Sequence, residues 1–393
     1  MPFPRASRQH FSIVSFGMLA ANLNSRPRYR ALDGYRFIAA SLVVLFHYNG
    51  DFGLGLERVT PIVKGLSVMV DFFFVLSGFV IATTYAHAMG NFRDYGKFLQ
   101  RRLARIVPLH LAVLCVFVGL ALALKFGLLP ANHPEMLALS ALPANASLLH
   151  AWGFVGHLSF NAPSWSVSAE WLAYLVFPLF LVLSRRLSLA TNLAIVIGSI
   201  AAMTLWRNAA GLREWTEATY DFGALRALPT FFLGVIFAVL LESSPRLFRA
   251  PWLAVHLLFL SAVVTLHFEL PPEVTIALLA LVVPFAAVAE RNNKPSWMMT
   301  EFMARLGDTS YAVYMIHIII SVPVLFALRK IGAIGTPIAV GAALATYLAV
   351  VIVAGLVYGR FEVPLRRWLS GARGKNASVP FTNRLLEPQA GFR

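Results

Sequence analysis

The sequence predicts an all-α membrane protein, a polytopic bundle of about ten transmembrane helices with both termini in the cytoplasm. Of its 393 residues, 58% are hydrophobic and only 13% are charged, so the chain is more apolar than soluble domains are. Apolar runs of about the length needed to cross a bilayer recur along the chain. Lysine and arginine collect in alternate connections between these runs, which is typical of membrane proteins.

The apolar runs give the expected helices in order. They cover residues 32–49, 66–86, 106–124, 166–184, 189–206, 225–242, 252–268, 273–290, 308–328 and 337–359. The long connection 126–165 contains a further apolar piece, 136–152, which Pro143 and Asn145 interrupt. We expect a re-entrant or interfacial segment there, because a full span would invert every later helix against the charge bias.

The basic residues set the orientation and the domain organisation. Connections on the expected cytoplasmic side hold roughly three times as many Lys and Arg residues as those on the other side. This placement explains the net charge of +15 without invoking nucleic acid. We predict a basic cytoplasmic segment at 1–30, a transmembrane domain at 31–368 and a disordered cytoplasmic tail at 369–393. The single cysteine, Cys115, lies in an apolar run and supports neither a disulfide nor a metal site.

The first span, LDGYRFIAASLVVLFHY, carries an arginine and a histidine inside an apolar run. Arg36 and His47 are eleven residues apart, so they share one helix face and lie roughly 16 Å apart along its axis. Charged side chains in a membrane span normally face a cavity or a partner. The alternative is that each side chain only reaches the nearer membrane interface.

The second span, DFFFVLSGF, places Asp71 toward one end and Ser77 and Gly78 near its middle. Small residues allow membrane helices to approach closely, which is the simpler explanation for Ser77 and Gly78. Asp71 is either a salt-bridge partner or a site residue. The sixth span begins at Arg226, at the same membrane face.

Two arginines, Arg102 and Arg105, are neighbours on one helical face in the sequence RRLARIVP, just before the third apolar run. Such a cluster is either an orientation signal with lipid contacts or an anion site. Planar guanidinium groups bind phosphates bidentately, so a polyphosphate cofactor from the cytoplasm would suit them.

The fourth span opens with SWSVSAE, in which Ser164, Ser166 and Ser168 are candidate helix caps. Glu170 is expected at about the depth of His47, where a carboxylate could orient the imidazole for general base catalysis. Trp165 and its aromatic neighbours either stack on a sugar ring or form an interfacial belt. Later in the chain, His317 has the simpler interpretation of a structural residue, and Glu362 is expected to pair with an arginine before Pro364 ends the last helix.

Together these motifs resemble the acyltransferase 3 family of integral membrane acyltransferases. The resemblance covers about residues 30–368. It rests on six segments in family order: Arg36 followed by His47, FFFVLSGF, RRLARIVP, WSVSAE, LGDTSYAVYMIH and FEVP. Small departures are Val167 and Ala169 within WSVSAE, and His110 after the proline of RRLARIVP.

The resemblance implies an enzyme that moves an acyl group, commonly acetyl, from cytoplasmic acyl-CoA to a hydroxyl of a carbohydrate or glycan in a bacterial inner membrane. It implies that His47 is the catalytic base or acyl carrier, with Arg36 on the donor path. Arg102 and Arg105 would hold the CoA phosphates, and Glu170 would position His47 or the acceptor. We further assign Asp71, Arg226 and Trp165 to acceptor binding and expect no metal.

Two other classes of protein remain open. A proton-coupled exporter of a glycan or small metabolite would also bury Arg, His, Asp and Glu among ten helices, although the sequence shows no repeated halves. An inactive scaffold in an envelope-assembly complex is the second alternative. Transfer of an acyl label to a glycan separates the enzyme from the exporter, which would move substrate without labelling it.

Overall fold

The computed structural model describes residues 29–128, 133–292 and 295–370. These residues form helices and connecting turns, and none of them is in a strand. The predicted cytoplasmic segment 1–30 and tail 369–393 lie outside the described residues, apart from two residues at the inner edge of each.

Ten long helices, named α1 to α10, make up the described bundle, and each overlaps one predicted apolar run. Their bounds are α1 Arg30–Asp51, α2 Met69–Tyr85, α3 Phe92–Lys125, α4 Trp165–Arg186, α5 Leu189–Ala209, α6 Gly223–Ser243, α7 Trp252–His267, α8 Pro272–Arg291, α9 Glu301–Lys330 and α10 Pro337–Val357. Short helical turns, Ile62–Gly65 and Leu66–Val68, lead into α2, and a π-helical turn, Tyr358–Glu362, follows α10.

Eight helices of the described chain are long and apolar enough to cross a membrane. The two others are α1, whose apolar run is broken by charged residues such as Asp33 and Arg36, and α7, which has only 16 residues. The predicted fold class is confirmed: the protein is a polytopic, all-α membrane bundle.

Contacts between helix ends show that the ten helices run in alternate directions. The starts of α2 and α6 meet through Asp71 and Arg226, and the start of α1 meets the end of α8 through Glu290. The loop after α9 meets the end of α1, where the Gly335 amide donates to the Phe52 carbonyl. The Gln100 side chain near the start of α3 bonds the Leu369 carbonyl.

The described chain therefore begins and ends at one end of the bundle. We call this the proximal end, and the opposite end, which holds Asp71, the distal end. Assignment of the proximal end to the cytoplasm stays a prediction from the charge bias.

Helix α3 begins far earlier than its apolar run. The run starts at residue 106, but the helix starts at Phe92, where the Asn91 side chain caps it by accepting from the Asp94 amide. Its 34 residues are about 51 Å long, well beyond the hydrocarbon core. Arg102 and Arg105 therefore project from a continuous helix instead of preceding one.

The apolar piece 136–152 does not span the bundle. It folds as short turns, including Leu142–Ala146, that pack on the distal part of α3 and α4. The imidazole Nε2 of His110 bonds the Asn145 carbonyl at 2.9 Å. The expectation of a segment that does not cross the membrane is confirmed.

The serines of WSVSAE fasten this segment and α9 to α4, so their assignment as helix caps is wrong. Ser168 Oγ accepts from the Ala151 amide and donates to the Leu148 carbonyl. Ser166 Oγ donates to the Tyr314 hydroxyl at 2.8 Å. No cap hydrogen bond comes from Ser164 at the described start of α4.

Glycines fix the closest helix crossings. A Cβ on Gly78 of α2 would lie 2.0 Å from the Phe231 carbonyl oxygen of α6, and a Cβ on Gly234 of α6 would lie 2.1 Å from the Val75 carbonyl oxygen. On α9, a Cβ on Gly307 would lie 2.4 Å from the Asp33 carbonyl oxygen of α1. The prediction of close packing at Gly78 is confirmed. The crossing at Gly307 fixes how α9 packs against α1.

Candidate active site

A small cavity of about 90 Å³ lies inside the bundle, between α1, α2, α3, α4 and α9. Its polar lining comprises three arginines, one carboxylate, three tyrosines and three serines: Arg36, Arg102, Arg105, Glu170, Tyr174, Tyr311, Tyr314, Ser77, Ser166 and Ser310. The cavity is smaller than the roughly 300–1,000 Å³ of whole-ligand pockets, so it fits one end of a larger molecule. The structure thus brings together four of the predicted site residues.

Arg102 is buried against aromatic rings. Its guanidinium carbon lies 4.9 Å from the Tyr85 ring centroid, 5.9 Å from that of Phe98 and 5.8 Å from that of Tyr174. Only 7% of the residue is exposed, and its Nε has no hydrogen-bond partner among the described residues. A buried cationic donor without an acceptor favours an anionic ligand, because leaving such a donor unpaired is costly.

Glu170 of α4 lines the same cavity. The Ser77 hydroxyl donates to its Oε1 at 2.5 Å, which joins α2 to α4. Arg105 interacts electrostatically with Glu170 and with Glu362 of the π-helical turn. The carboxylates therefore offset part of the positive charge that the arginines bring into the bundle. Glu362 interacts electrostatically with Arg105 and Arg366, but its buried Oε1 has no hydrogen-bond partner among the described residues, so a direct pair with an arginine stays a prediction. The expected end of the last helix at Pro364 is wrong, because a short helix, Val363–Leu369, continues beyond it.

Arg36 reaches the cavity from the first turns of α1. Its Nη1 donates to Asp33 Oδ1 at 3.0 Å, and both side chains are largely buried. The Glu290 carboxylate accepts from the Arg30 amide at 2.9 Å and from the Ala31 amide at 3.0 Å. These bonds satisfy amides that the start of a helix leaves unpaired, and so they fix the position of α1.

His47 does not line the cavity. Its Nδ1 bonds the Val43 carbonyl at 2.9 Å and lies 3.3 Å from Nε2 of His317, and the two ring centroids are 5.0 Å apart. Tyr314 connects the two places, because it lines the cavity and its ring centroid lies 6.1 Å from that of His317. His47 is therefore beside the cavity, nearer the distal end.

The expected pairing of Glu170 with His47 is wrong. Glu170 lines the cavity and accepts from Ser77, whereas His47 does not line the cavity and contacts Val43 and His317 instead. The histidine that contacts His47 is His317, which the sequence had suggested to be structural. The prediction failed because the Glu170 carboxylate bonds Ser77 of α2 and interacts with Arg105 of α3, while His47 pairs with His317 of α9.

Asp71, Arg226 and Trp165 form one buried cluster at the distal end. Arg226 Nη2 donates to Asp71 Oδ2 at 2.6 Å and its Nε to Oδ1 at 3.2 Å, while the guanidinium carbon lies 5.0 Å from the Trp165 ring centroid. Asp71 is 0% and Arg226 1% exposed. Of the two roles left open for Asp71, the structure favours the salt bridge over acceptor binding, because these groups already satisfy one another.

Comparison with known proteins decides the family. A sequence model described as "Acyltransferase domain" matches residues 29–358, most of the chain. The protein belongs to the acyltransferase 3 family. This acyltransferase is thus an integral membrane enzyme by family and by its apolar helices.

Two relatives of the chain are also named acyltransferases. The chain is 27% identical to Acyltransferase MdmB of Streptomyces mycarofaciens over 90% of this chain and 95% of the relative. It is 29% identical to Peptidoglycan O-acetyltransferase OatA of Listeria monocytogenes, over 40% of this chain but only 25% of that relative. A comparison with solved structures found no match.

Sequence reasoning missed two features of this acyltransferase. Tyr314 and His317 both lie in the motif LGDTSYAVYMIH, yet a lone histidine gives no sign of a partner 270 positions away. The one available signal was that each histidine lies in an otherwise apolar run. Tyr174, another cavity residue that was not predicted, follows Glu170 by one helical turn and so shares its face.

Proposed function

We propose that the protein is a membrane O-acyltransferase that moves an acyl group, most simply acetyl, from cytoplasmic acyl-CoA to a hydroxyl of a carbohydrate or glycan. One observation carries this proposal: three arginines converge on a small cavity inside the bundle, and the buried Nε of Arg102 has no partner among the described residues. Membership of the acyltransferase family supplies the reaction class.

The donor side of the proposal rests on charge. Arg102 and Arg105 project from the proximal half of α3, the end that the charge bias assigns to the cytoplasm, where acyl-CoA is found. Guanidinium groups bind phosphates with paired, charge-assisted hydrogen bonds. Arg36 lines the same cavity and would lie along the donor path. Glu170 and Ser77 would hold the shape of this cavity instead of acting as the base.

The transfer step is assigned to His47. The pantetheine arm separates the phosphates of CoA from its thioester, so the phosphate-binding arginines and the base need not share one wall. As the acceptor oxygen bonds to the thioester carbonyl carbon, the imidazole takes the hydroxyl proton, the C–S bond breaks, and that proton finally neutralises the departing thiolate. General base catalysis of this kind typically contributes about 10²- to 10⁴-fold. Acyl transfer through His47 itself is the two-step version.

The acceptor class is proposed from the relatives. The name of the Listeria relative specifies peptidoglycan O-acetylation, although the alignment covers a quarter of that protein. A glycan assembled at the outer side of a bacterial inner membrane fits a base near the distal end of the bundle.

The test uses the full chain purified into lipid vesicles, with acetyl-CoA labelled in its acetyl group and a crude envelope-glycan extract. The proposal expects label in the glycan and equimolar free thiol. Movement of glycan across the vesicle membrane without label would overturn the proposal in favour of the exporter. Arg102→Ala serves as a variant with impaired donor binding in the same preparation.

A further inference from the structure

The contact between His47 and His317 contains a feature that the proposed function does not use. His317 is fully buried, at 0% exposure, and its Nε2 lies 3.3 Å from Nδ1 of His47. A second imidazole at this position has to be either a donor or an acceptor toward His47. The backbone bonds of the two rings decide which.

Carbonyl oxygens only accept hydrogen bonds, so each ring nitrogen that faces one must carry a proton. His317 Nδ1 lies 2.7 Å from the Tyr314 carbonyl, and His47 Nδ1 lies 2.9 Å from the Val43 carbonyl. In the neutral rings, both protons are therefore on Nδ1, and both Nε2 atoms are lone-pair acceptors. His47 Nδ1–H is therefore shared in a three-centre hydrogen bond between the Val43 carbonyl and His317 Nε2, and His47 Nε2 is the nitrogen left to take a proton.

Other residues hold His317 in this orientation. The Tyr48 hydroxyl donates to the His317 backbone carbonyl at 3.3 Å, and the Tyr48 ring centroid lies 6.3 Å from the His317 ring centroid. The close crossing at Gly307 fixes α9 against α1 three turns away. Contacts between α1 and α9 thus hold the His317 ring, which accepts from His47, in place.

We infer that His317 is a positioning residue for His47: its Nε2 shares the Nδ1–H of His47 with the Val43 carbonyl, which keeps the proton on Nδ1 and leaves Nε2 of His47 unprotonated, and this contact strengthens as His47 becomes cationic. This inference rests on the proposed role of His47 as the base.

The inferred effect belongs to the transition state. When Nε2 takes the proton of the acceptor hydroxyl, His47 becomes an imidazolium and its Nδ1–H bond to His317 becomes charge-assisted, hence shorter and stronger. An interaction that strengthens only as charge develops raises kcat more than it lowers KM. No proton has to leave His47 toward His317 for this effect.

The test compares His317→Leu with His317→Gln in vesicles. Leu removes the acceptor, and Gln restores a carbonyl oxygen at about the reach of Nε2. We expect His317→Leu to lower kcat about 10- to 100-fold at unchanged KM for acetyl-CoA, and His317→Gln to recover most of that loss. A folded His317→Leu protein with wild-type kcat, or a Gln variant no better than Leu, would overturn the inference.

A measurement on the unmutated protein tests the inference even if the His317 variants do not fold. ¹⁵N spectra of histidine-labelled protein, assigned with His47→Ala, report the tautomer of each ring, and we expect Nδ1–H for both. Finding Nε2–H on His47 would refute the inference directly. If His47→Ala retains full turnover, the base assignment in the proposed function fails instead, whatever the His317 variants do.

Discussion

Gly78 of α2 and Gly234 of α6 fit against each other's helix, each at a point where a side chain would meet the facing backbone carbonyl. This reciprocal contact holds α2 close to α6 and leaves Ser77, the neighbour of Gly78, turned toward Glu170. Packing at one side of α2 thereby places a cavity residue at the other.

A methyl group at either glycine should destabilise the bundle. Gly78→Ala and Gly234→Ala place a Cβ about 2 Å from a carbonyl oxygen, so the helices must separate, at a cost of about 1–3 kcal/mol or more. Thermal unfolding in detergent, followed by size-exclusion chromatography, measures the effect. Gly198→Ala is the matched control, because nothing lies within 4 Å of that position. Equal unfolding midpoints for all three variants would contradict the close contact between α2 and α6.

The Asp71–Arg226 pair should contribute to the stability of the protein and not to acceptor binding. Asp71→Ala leaves a buried guanidinium without its carboxylate, which costs about 3–5 kcal/mol in comparable pairs. Replacing both residues with Leu should restore much of the stability, since two unpaired charges are then absent. Unfolding midpoints of the single and double variants test this. A double variant that is stable but selectively loses acceptor affinity would show that the pair binds acceptor after all.

Arg102 should act on the donor alone. We expect Arg102→Ala to raise KM for acetyl-CoA at least tenfold with a smaller change in the acceptor KM, because Arg102 lines the cavity and its buried Nε has no partner among the described residues. Arg101→Ala removes an exposed arginine from the next position of the same helix and should leave donor KM near wild type. An equal rise in donor KM for both variants would show that Arg102 contributes only positive charge and not a specific contact with the donor.

Hydropathy predicted where each helix lies, because crossing a bilayer demands about 20 apolar residues whatever the partners are. It placed the start of α3 about fourteen residues too late, since residues before 106 are basic and the helix leaves the membrane there. Judged by composition alone, α1 does not qualify as a membrane span, because it contains charged residues. The motif with Arg36 and His47 nevertheless identified it as one of the ten predicted spans.

The cavity was predictable in part. Arg36, Arg102, Arg105 and Glu170 stood out because charge is costly inside a membrane, and they do meet. Which of them meet which was not predictable, because rotation of each helix about its axis is set by contacts such as Gly307 against Asp33. For that reason Glu170 faces Ser77, and His47 faces His317.

The most direct test of the proposed function is thiol release from acetyl-CoA by wild type and His47→Ala in vesicles supplied with crude envelope-glycan extract, with CoA binding measured on the same samples. The account predicts thiol release by wild type, and a folded His47→Ala protein that binds CoA but does not turn over. Normal turnover by His47→Ala would contradict the catalytic assignment. Absence of thiol release from wild type under these conditions would contradict acyl transfer from CoA itself.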